Sequence, residues 1–264
     1  MRPVLNLTSL VLLAALCAGV AVSASVITPT AVGEIRLARH AASQDASRVP
    51  ATAAGLGSQS FDWAGYVVTV SRSTSVTGQW SVPQVSATSG LTASALWIGI
   101  DGVRNHHLIQ TGTEQDSVNG RTEYYAWWEI LPAAAVRVAA FSVRPGDRMS
   151  ATIARVSAGL WRITISDARG GTFSTERAYG GSGTSAEWIL EAPFLGRRQA
   201  QLAHLGTTGF DHATLNGANP GFTLADEVTL VQNNMAAATP SGPDSDRDGF
   251  RLGQGAIGPA PPHS

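Results

Sequence analysis

The chain has 264 residues, one cysteine, 19 acids against 18 basic residues that are all arginine, and a formal net charge of −1. Near-neutrality without a basic stretch gives no electrostatic footprint for nucleic acid, and the lone Cys17 excludes intrachain disulfides and multi-cysteine metal sites. With 44% hydrophobic and only 14% charged residues, the chain can bury a large core and must cover its surface with Ser, Thr, Gly, Asn and Gln, a profile common in extracellular β proteins.

The N-terminus has the parts of an export signal. Arg2 supplies the positive start, residues 10–22 are an unbroken apolar run, and Val22-Ser-Ala24 offers small residues for cleavage. The run is shorter than the roughly 18 residues a membrane span needs. Bulky Leu16 before Cys17 argues against lipid attachment. Residues 1–24 are therefore expected to be a signal peptide and the mature chain to be secreted, with no membrane association. Residues 25–59 are rich in Ala, Ser, Thr and Val, lack strand alternation, and lean basic through Arg36, Arg39, His40 and Arg48. They read as a propeptide or linker.

From Phe61 the character changes. Short runs rich in Val, Ile, Thr, Trp and Tyr alternate with turn residues such as Asn119-Gly120, Pro145-Gly-Asp147 and Arg169-Gly-Gly171. Strands are predicted at 64–70, 76–82, 95–100, 107–113, 122–130, 149–156, 161–166, 172–177, 186–190, 213–215 and 229–231. Only 197–205 is compatible with a helix. Many close strands without helical periodicity predict an all-β, two-sheet antiparallel sandwich over residues 60–240. Residues 241–264 form a Pro- and Gly-rich tail that is expected to fray.

Side chains alternate between the faces of a strand. One face of each central strand is apolar: Leu96, Ile98 and Ile100, or Ala186, Trp188 and Leu190. The opposite faces collect Trp97 and Asp101, Gln110 and Glu114, Tyr125, Trp127 and Glu129, and Glu187. If these strands are neighbours, the result is an acidic groove with an aromatic floor, suited to an extended polymer. Crowded, partly buried carboxylates hold their protons above the usual range and so become available for acid–base chemistry.

The blocks Phe61-Asp-Trp-Ala-Gly-Tyr66, Gly78-Gln-Trp-Ser-Val-Pro83, Leu96-Trp-Ile-Gly-Ile-Asp-Gly102, Leu108-Ile-Gln-Thr-Gly112, Tyr125-Ala-Trp-Trp-Glu129 and Ser185-Ala-Glu-Trp-Ile-Leu-Glu191 resemble, in this order, the eqolisins or glutamic peptidases. The resemblance runs from about Phe61 to Gly217. It implies a concanavalin-like sandwich with substrate across a concave face, polypeptide substrates, no cofactor and no metal. It further implies a catalytic pair, Gln110 and Glu187, with substrate-binding residues Trp63, Trp97, Asp101, Glu114, Trp127 and Glu129. Glu114 stands where the family carries Asp. Ionised Glu187 would activate water, and the neutral Gln110 amide would stabilise the oxyanion. Such an enzyme is expected to act as a monomer, with its own propeptide as inhibitor at neutral pH.

Other chemistries have weaker support. Two carboxylates such as Glu129 and Glu187 could serve a β-sandwich glycosidase, which leaves Gln110 unexplained, and a non-catalytic carbohydrate- or peptide-binding module is also compatible with the groove. His106 and His107 are adjacent on an expected strand and point apart, a poor chelate. Gly181-Ser-Gly183 lacks the full nucleophile-elbow pattern. Asp244-Ser-Asp-Arg-Asp-Gly249 copies the start of a calcium loop, but its twelfth position is Gly255 and no helices are expected beside it, so a solvated turn is expected there.

Overall fold

The structure is a computed structural model that describes residues 40, 57–103 and 105–263. The expected signal peptide and nearly all of the expected propeptide lie outside the described residues. In chain order the strands are β1 (Ser58–Ser60), β2 (Trp63–Thr69), β3 (Ser75–Ser81), β4 (Leu91–Ile100), β5 (Ile109–Val118) and β6 (Arg121–Ile130). They continue as β7 (Val136–Val138), β8 (Arg148–Ser157), β9 (Leu160–Asp167), β10 (Thr172–Ala178), β11 (Ser185–Glu191) and β12 (Phe194–Leu195). The last six are β13 (Arg198–Gln199), β14 (Gln201–Leu202), β15 (Thr208–Leu215), β16 (Glu227–Gln232), β17 (Met235–Pro240) and β18 (Phe250–Gln254). A single 3₁₀ turn, Leu224–Asp226, is the only helical element among the described residues.

The hydrogen-bonded order is β10-β9-β8-β3-β15-β18-β17-β16-β2-β11-β4-β5-β6-β7, and β12–β13 form a separate hairpin. Pairing is antiparallel except for β1 with β16 and β14 with β4. The path curls over on itself, so that β4 and β5 pack against β8 and β9 without bonding to them. This is the expected sandwich. Between the layers lies a core of Leu96, Ile98, Ile100, Trp188, Leu190, Ile153, Ile163, Phe210, Phe250 and their neighbours. At about 25 cal/mol per Å² of apolar surface removed from water, this interior is the main stabilising contribution.

Three local differences have physical causes. The helix-compatible stretch instead supplies β13 and β14. Gly196 adopts φ 70° and turns the β12–β13 hairpin. The Gln232 side chain then ties down the next segment, accepting from Leu202 N–H and donating to the Ala200 carbonyl. The segment after Pro240 contains β18, paired on both sides and burying Phe250 and Leu252. Two apolar side chains two residues apart on one strand face anchor it, so residues 250–254 do not fray. Residues 58 and 59, the end of the expected propeptide or linker, form β1 together with Ser60.

Candidate active site

The apolar faces of β2, β11, β4, β5 and β6 go to the core, as expected. Their opposite faces are organised by register into rows across the strands. In the first row Glu187 lies opposite Gly99, Gly99 opposite Gln110, and Gln110 opposite Glu129. In the second, Ile189, Trp97, Gly112 and Trp127 stand in line. In the third are Trp63, Glu191, Ala95, Glu114 and Tyr125. An aromatic row therefore separates two acidic ones.

The first row carries the candidate chemistry. Gln110 and Glu187 flank a residue without a side chain, so their backbones are two strand spacings apart, roughly 9.6 Å. Gly99 lets the Trp97 ring and Leu108 lie close against the strand between them. A Cβ there would lie 2.7 Å from the Trp97 ring, so alanine cannot enter without displacing that ring. Gln110 donates from Nε2 to Glu129 Oε2 at 2.9 Å, while its Oε1 is buried without a partner. Both Glu187 oxygens are likewise buried without a hydrogen-bond partner. Burial pushes the Glu187 carboxyl well above the usual range, and the negative Asp101 adds to the shift.

The aromatic row is held by close packing. Gly112 leaves room for Trp97, whose Cβ would lie 2.5 Å from a Cβ at that position. Trp97 donates from Nε1 to Glu191 at 2.8 Å and meets Trp63 edge-on at 4.9 Å. The indole N–H groups of Trp63 and Trp127 have no partner and are buried.

The acids of the third row and its extension hold protons strongly. Glu114 is raised well above the usual range by burial and then by the charges of Asp116, Glu191 and Glu129. Asp116 is pushed up to about 7 by burial, with Glu123 adding to it. Burial leads in both cases, ahead of the carboxylate crowding that sequence suggested.

Asp101 sits differently from the alternation. β4 ends at Ile100, and Asp101 takes φ 73°, so strand parity no longer applies to it. It accepts hydrogen bonds from Gly183 N, Thr184 N, Tyr179 Oη, Ser182 Oγ and Asn105 Nδ2 at 2.7–3.0 Å. Burial pushes its carboxyl up, but the bonds from Tyr179, Gly183, Thr184 and Asn105 outweigh this and hold it below the usual range. It fixes the loop that leads into β11 and Glu187.

Three participants were missed by the sequence reading. Glu191 shares the Glu187 face by the same parity of two and could have been found. Asp116 continues the Gln110, Gly112, Glu114 series. His40 had no local signal. Its ring stacks on Trp127 at 3.6 Å and 7°, with Nδ1 3.0 Å from Glu191 and Nε2 3.4 Å from Glu114. Burial pushes its pKa down to about 4, against the pull of Glu129. With His40 in place, Gln110, Glu187, Trp97 and Trp127 are 0% exposed. A cavity of about 700 Å³, lined by Trp80, Met149, Phe210 and Asp211, lies on the other layer and touches none of these rows.

The Peptidase A4 family model matches residues 62–247. Aspergillopepsin-2 of Aspergillus niger is 28% identical over 201 residues, covering 66% of this chain and 71% of that protein. Among solved structures, scytalido-glutamic peptidase with a transition state analog inhibitor aligns at a TM-score of 0.63 and 21% identity, over 73% of this chain and 98% of that one. Aspergilloglutamic peptidase from Aspergillus niger aligns at 0.54 and 24% identity, over 62% of this chain and 99% of that one. The all-β sandwich fold is thus shared with solved peptidases. The chain belongs to the Peptidase A4 family, the eqolisins, and is a glutamic endopeptidase.

Proposed function

We propose that the protein is a secreted acid endopeptidase in which Glu187 activates water and Gln110 stabilises the tetrahedral intermediate. The observation that carries this reading is the placement of both residues opposite Gly99, on one face of the sheet. A peptide carbonyl held between them has the Glu187 carboxylate on one side and the Gln110 amide on the other. Ionised Glu187 takes a proton from water as the water oxygen attacks the carbonyl carbon. The second N–H of Gln110, beyond the one used by Glu129, meets the developing oxyanion. Protonated Glu187 then gives its proton to the leaving amine. Admitting water to the buried site lowers the cost of ionising Glu187. Trp63, Trp97, Trp127 and Glu114 line the path for the substrate chain, while Glu129 orients Gln110 and Asp101 holds the neighbouring loop. The glycosidase reading has less support. Glu129 and Glu187 are three strand spacings apart, roughly 14 Å at the backbone, against roughly 5–9.5 Å between the carboxyls of a glycosidase pair.

Casein cleavage from pH 2 to 8 with pepstatin present, comparing matured wild type with folded Glu187→Gln, tests the reading. Acid-limited cleavage that the variant loses supports it. Equal activity in both would mean another glutamate is the base.

Residues 25–59 act in this reading as an inhibitory propeptide, released after removal of the 1–24 export signal. The support is His40, which occupies the floor between the acid rows. A free imidazole titrates near 6.5, and the docked one near 4. Between these values the released segment binds a proton that the docked one does not. Falling pH therefore favours release, by about 1.4 kcal/mol per pH unit. The precursor of His40→Ala is expected to self-process at a pH about one unit higher than wild type. An unchanged processing profile would remove His40 from the switch. A wild-type precursor that stays intact at pH 3, where separately matured enzyme is active, would sink the inhibitory role.

A further inference from the structure

On the other layer, a cluster of acids outside the catalytic face has no role in peptide hydrolysis. The 244–249 turn closes on itself, with Asp244 N–H donating to the Gly249 carbonyl at 2.9 Å. Asp244 Oδ1 accepts the N–H groups of Arg247, Asp248 and Gly249 at 2.8–3.1 Å. That leaves Asp244 Oδ2 over. The residue is 6% exposed, and this oxygen is buried with no partner, as is Asp248 Oδ1.

The leftover oxygens converge. Asp244, Asp246 and Asp248 each place a carboxylate oxygen within 4.8 Å of the other two, and Asp248 does the same with Asp211 and His212 of β15. A side chain on Gly249 would run into Asp244 Oδ2 and stand 3.0 Å from Asp211 Oδ1. The unpartnered oxygen and the Asp211 carboxylate thus reach the same side of that glycine. Among the described residues no arginine side chain pairs with any of the four aspartates, and Asp211 meets His212, whose backbone N–H donates to Oδ1 at 2.8 Å and whose ring Nδ1 lies 3.9 Å away. Arg247 is turned away, bonded to the Gly221 and Phe222 carbonyls.

We propose that Asp244, Asp246 and Asp248, completed by Asp211 from β15, form a calcium-binding site. Hard carboxylate oxygens select a hard divalent cation. Carboxylate oxygens within 4.8 Å of one another are close enough to share one calcium ion at about 2.4 Å. The acids fall at the first, third and fifth positions of a calcium loop, with glycine at the sixth. Where a helix-flanked loop would bring a glutamate at its twelfth position, this site takes a carboxylate from a different strand, which the local sequence could not reveal. The proposal goes beyond the solvated turn expected from sequence, of which residues 245–247 are exposed, and it is independent of the peptidase reading.

The full-length chain carrying Glu187→Gln, which prevents self-digestion, is stripped with chelator at pH 7 and titrated with CaCl₂ by calorimetry and thermal melting. Saturable heat and a rise in Tm of roughly 5–10 °C at one hundred times Kd are expected. Asp211→Asn and Asp246→Asn, each compared with its own calcium-free form, should lose most of that rise. No heat and no shift in the folded parent overturns the proposal. So does an equal response to MgCl₂, or a full calcium response in both variants.

Discussion

Gln110→Ala should lower kcat by about 10²–10³-fold, equivalent to about 2.7–4 kcal/mol, and leave KM within a few-fold. The argument is geometric. Gly99 lies between one amide and one carboxylate on the same face, and the Gln110 Oε1 and both Glu187 oxygens are buried without partners. Such atoms are costly for a folded chain and are explained if they meet substrate and water. An amide that binds the oxyanion contributes in the transition state, so its loss falls on kcat. Removal of Gln110 also strips Glu129 of a donor, so a purely structural role would appear as a lower Tm with kcat nearly intact. Glu187→Gln should be at least as damaging. The double variant should be little worse than Glu187→Gln alone, because the two groups act on one intermediate. Additive losses would show that they act separately.

Stability should be greatest in acid and fall as pH rises from about 4.5 to 7.5. Glu114, Asp116, Glu187 and Asp248 all have carboxyls raised in the folded state, with burial as the first cause. For a carboxyl raised on folding, the unfolded chain releases its proton first. Above the unfolded value the folded state therefore binds more protons, and stability drops by about 1.4 kcal/mol per pH unit for each such group until its folded value is passed. For Asp116 that window runs from 3.8 to about 7. Asp101 and Asp167 are shifted the other way, and their stability is present above the usual carboxylate range and lost below it. His40, with its lowered value, likewise stabilises the docked form as pH rises through 4 to 6.5. The raised carboxyls are more numerous, so they set the sign. Thermal melts of chelator-treated Glu187→Gln, in which the other three carboxyls remain, check this from pH 3 to 8. A Tm that climbs steadily toward pH 8 would show that the buried carboxyls are paired in a way their geometry does not reveal.

Much of the site was legible in the sequence because strand parity survives folding. The alternation in β4, β5, β6 and β11 places Trp97, Gln110, Glu114, Trp127, Glu129 and Glu187 on one face from local order alone. What parity cannot supply is register, and register is what sets Gln110 and Glu187 on either side of Gly99. Asp101 escaped the rule because a left-handed backbone ends the alternation one residue past β4. β5 extends well past Thr113 because Glu114, Gln115 and Asp116 are buried strand residues whose polarity suggests a loop. β17 was missed because Met-Ala-Ala-Ala-Thr-Pro lacks bulky β-formers. Yet Asn233-Asn234, both with positive φ, marks the tight hairpin that precedes it. His40 and Asp211 reach their partners from distant positions, which no window along the chain detects.

β18 is the strand that bonds β15 on one side and β17 on the other. Without it the hydrogen-bonded path separates into β10-β9-β8-β3-β15 and the run from β17 to β7 that carries the peptidase face. Because β18 follows the other strands of the described residues in chain order, it is synthesised after them. Both halves must wait, with an open edge each, until that strand arrives. Such waiting edges invite pairing with other chains during synthesis. The final strand therefore sets a deadline for folding, and truncation near residue 240 would yield aggregating chains rather than a shortened enzyme.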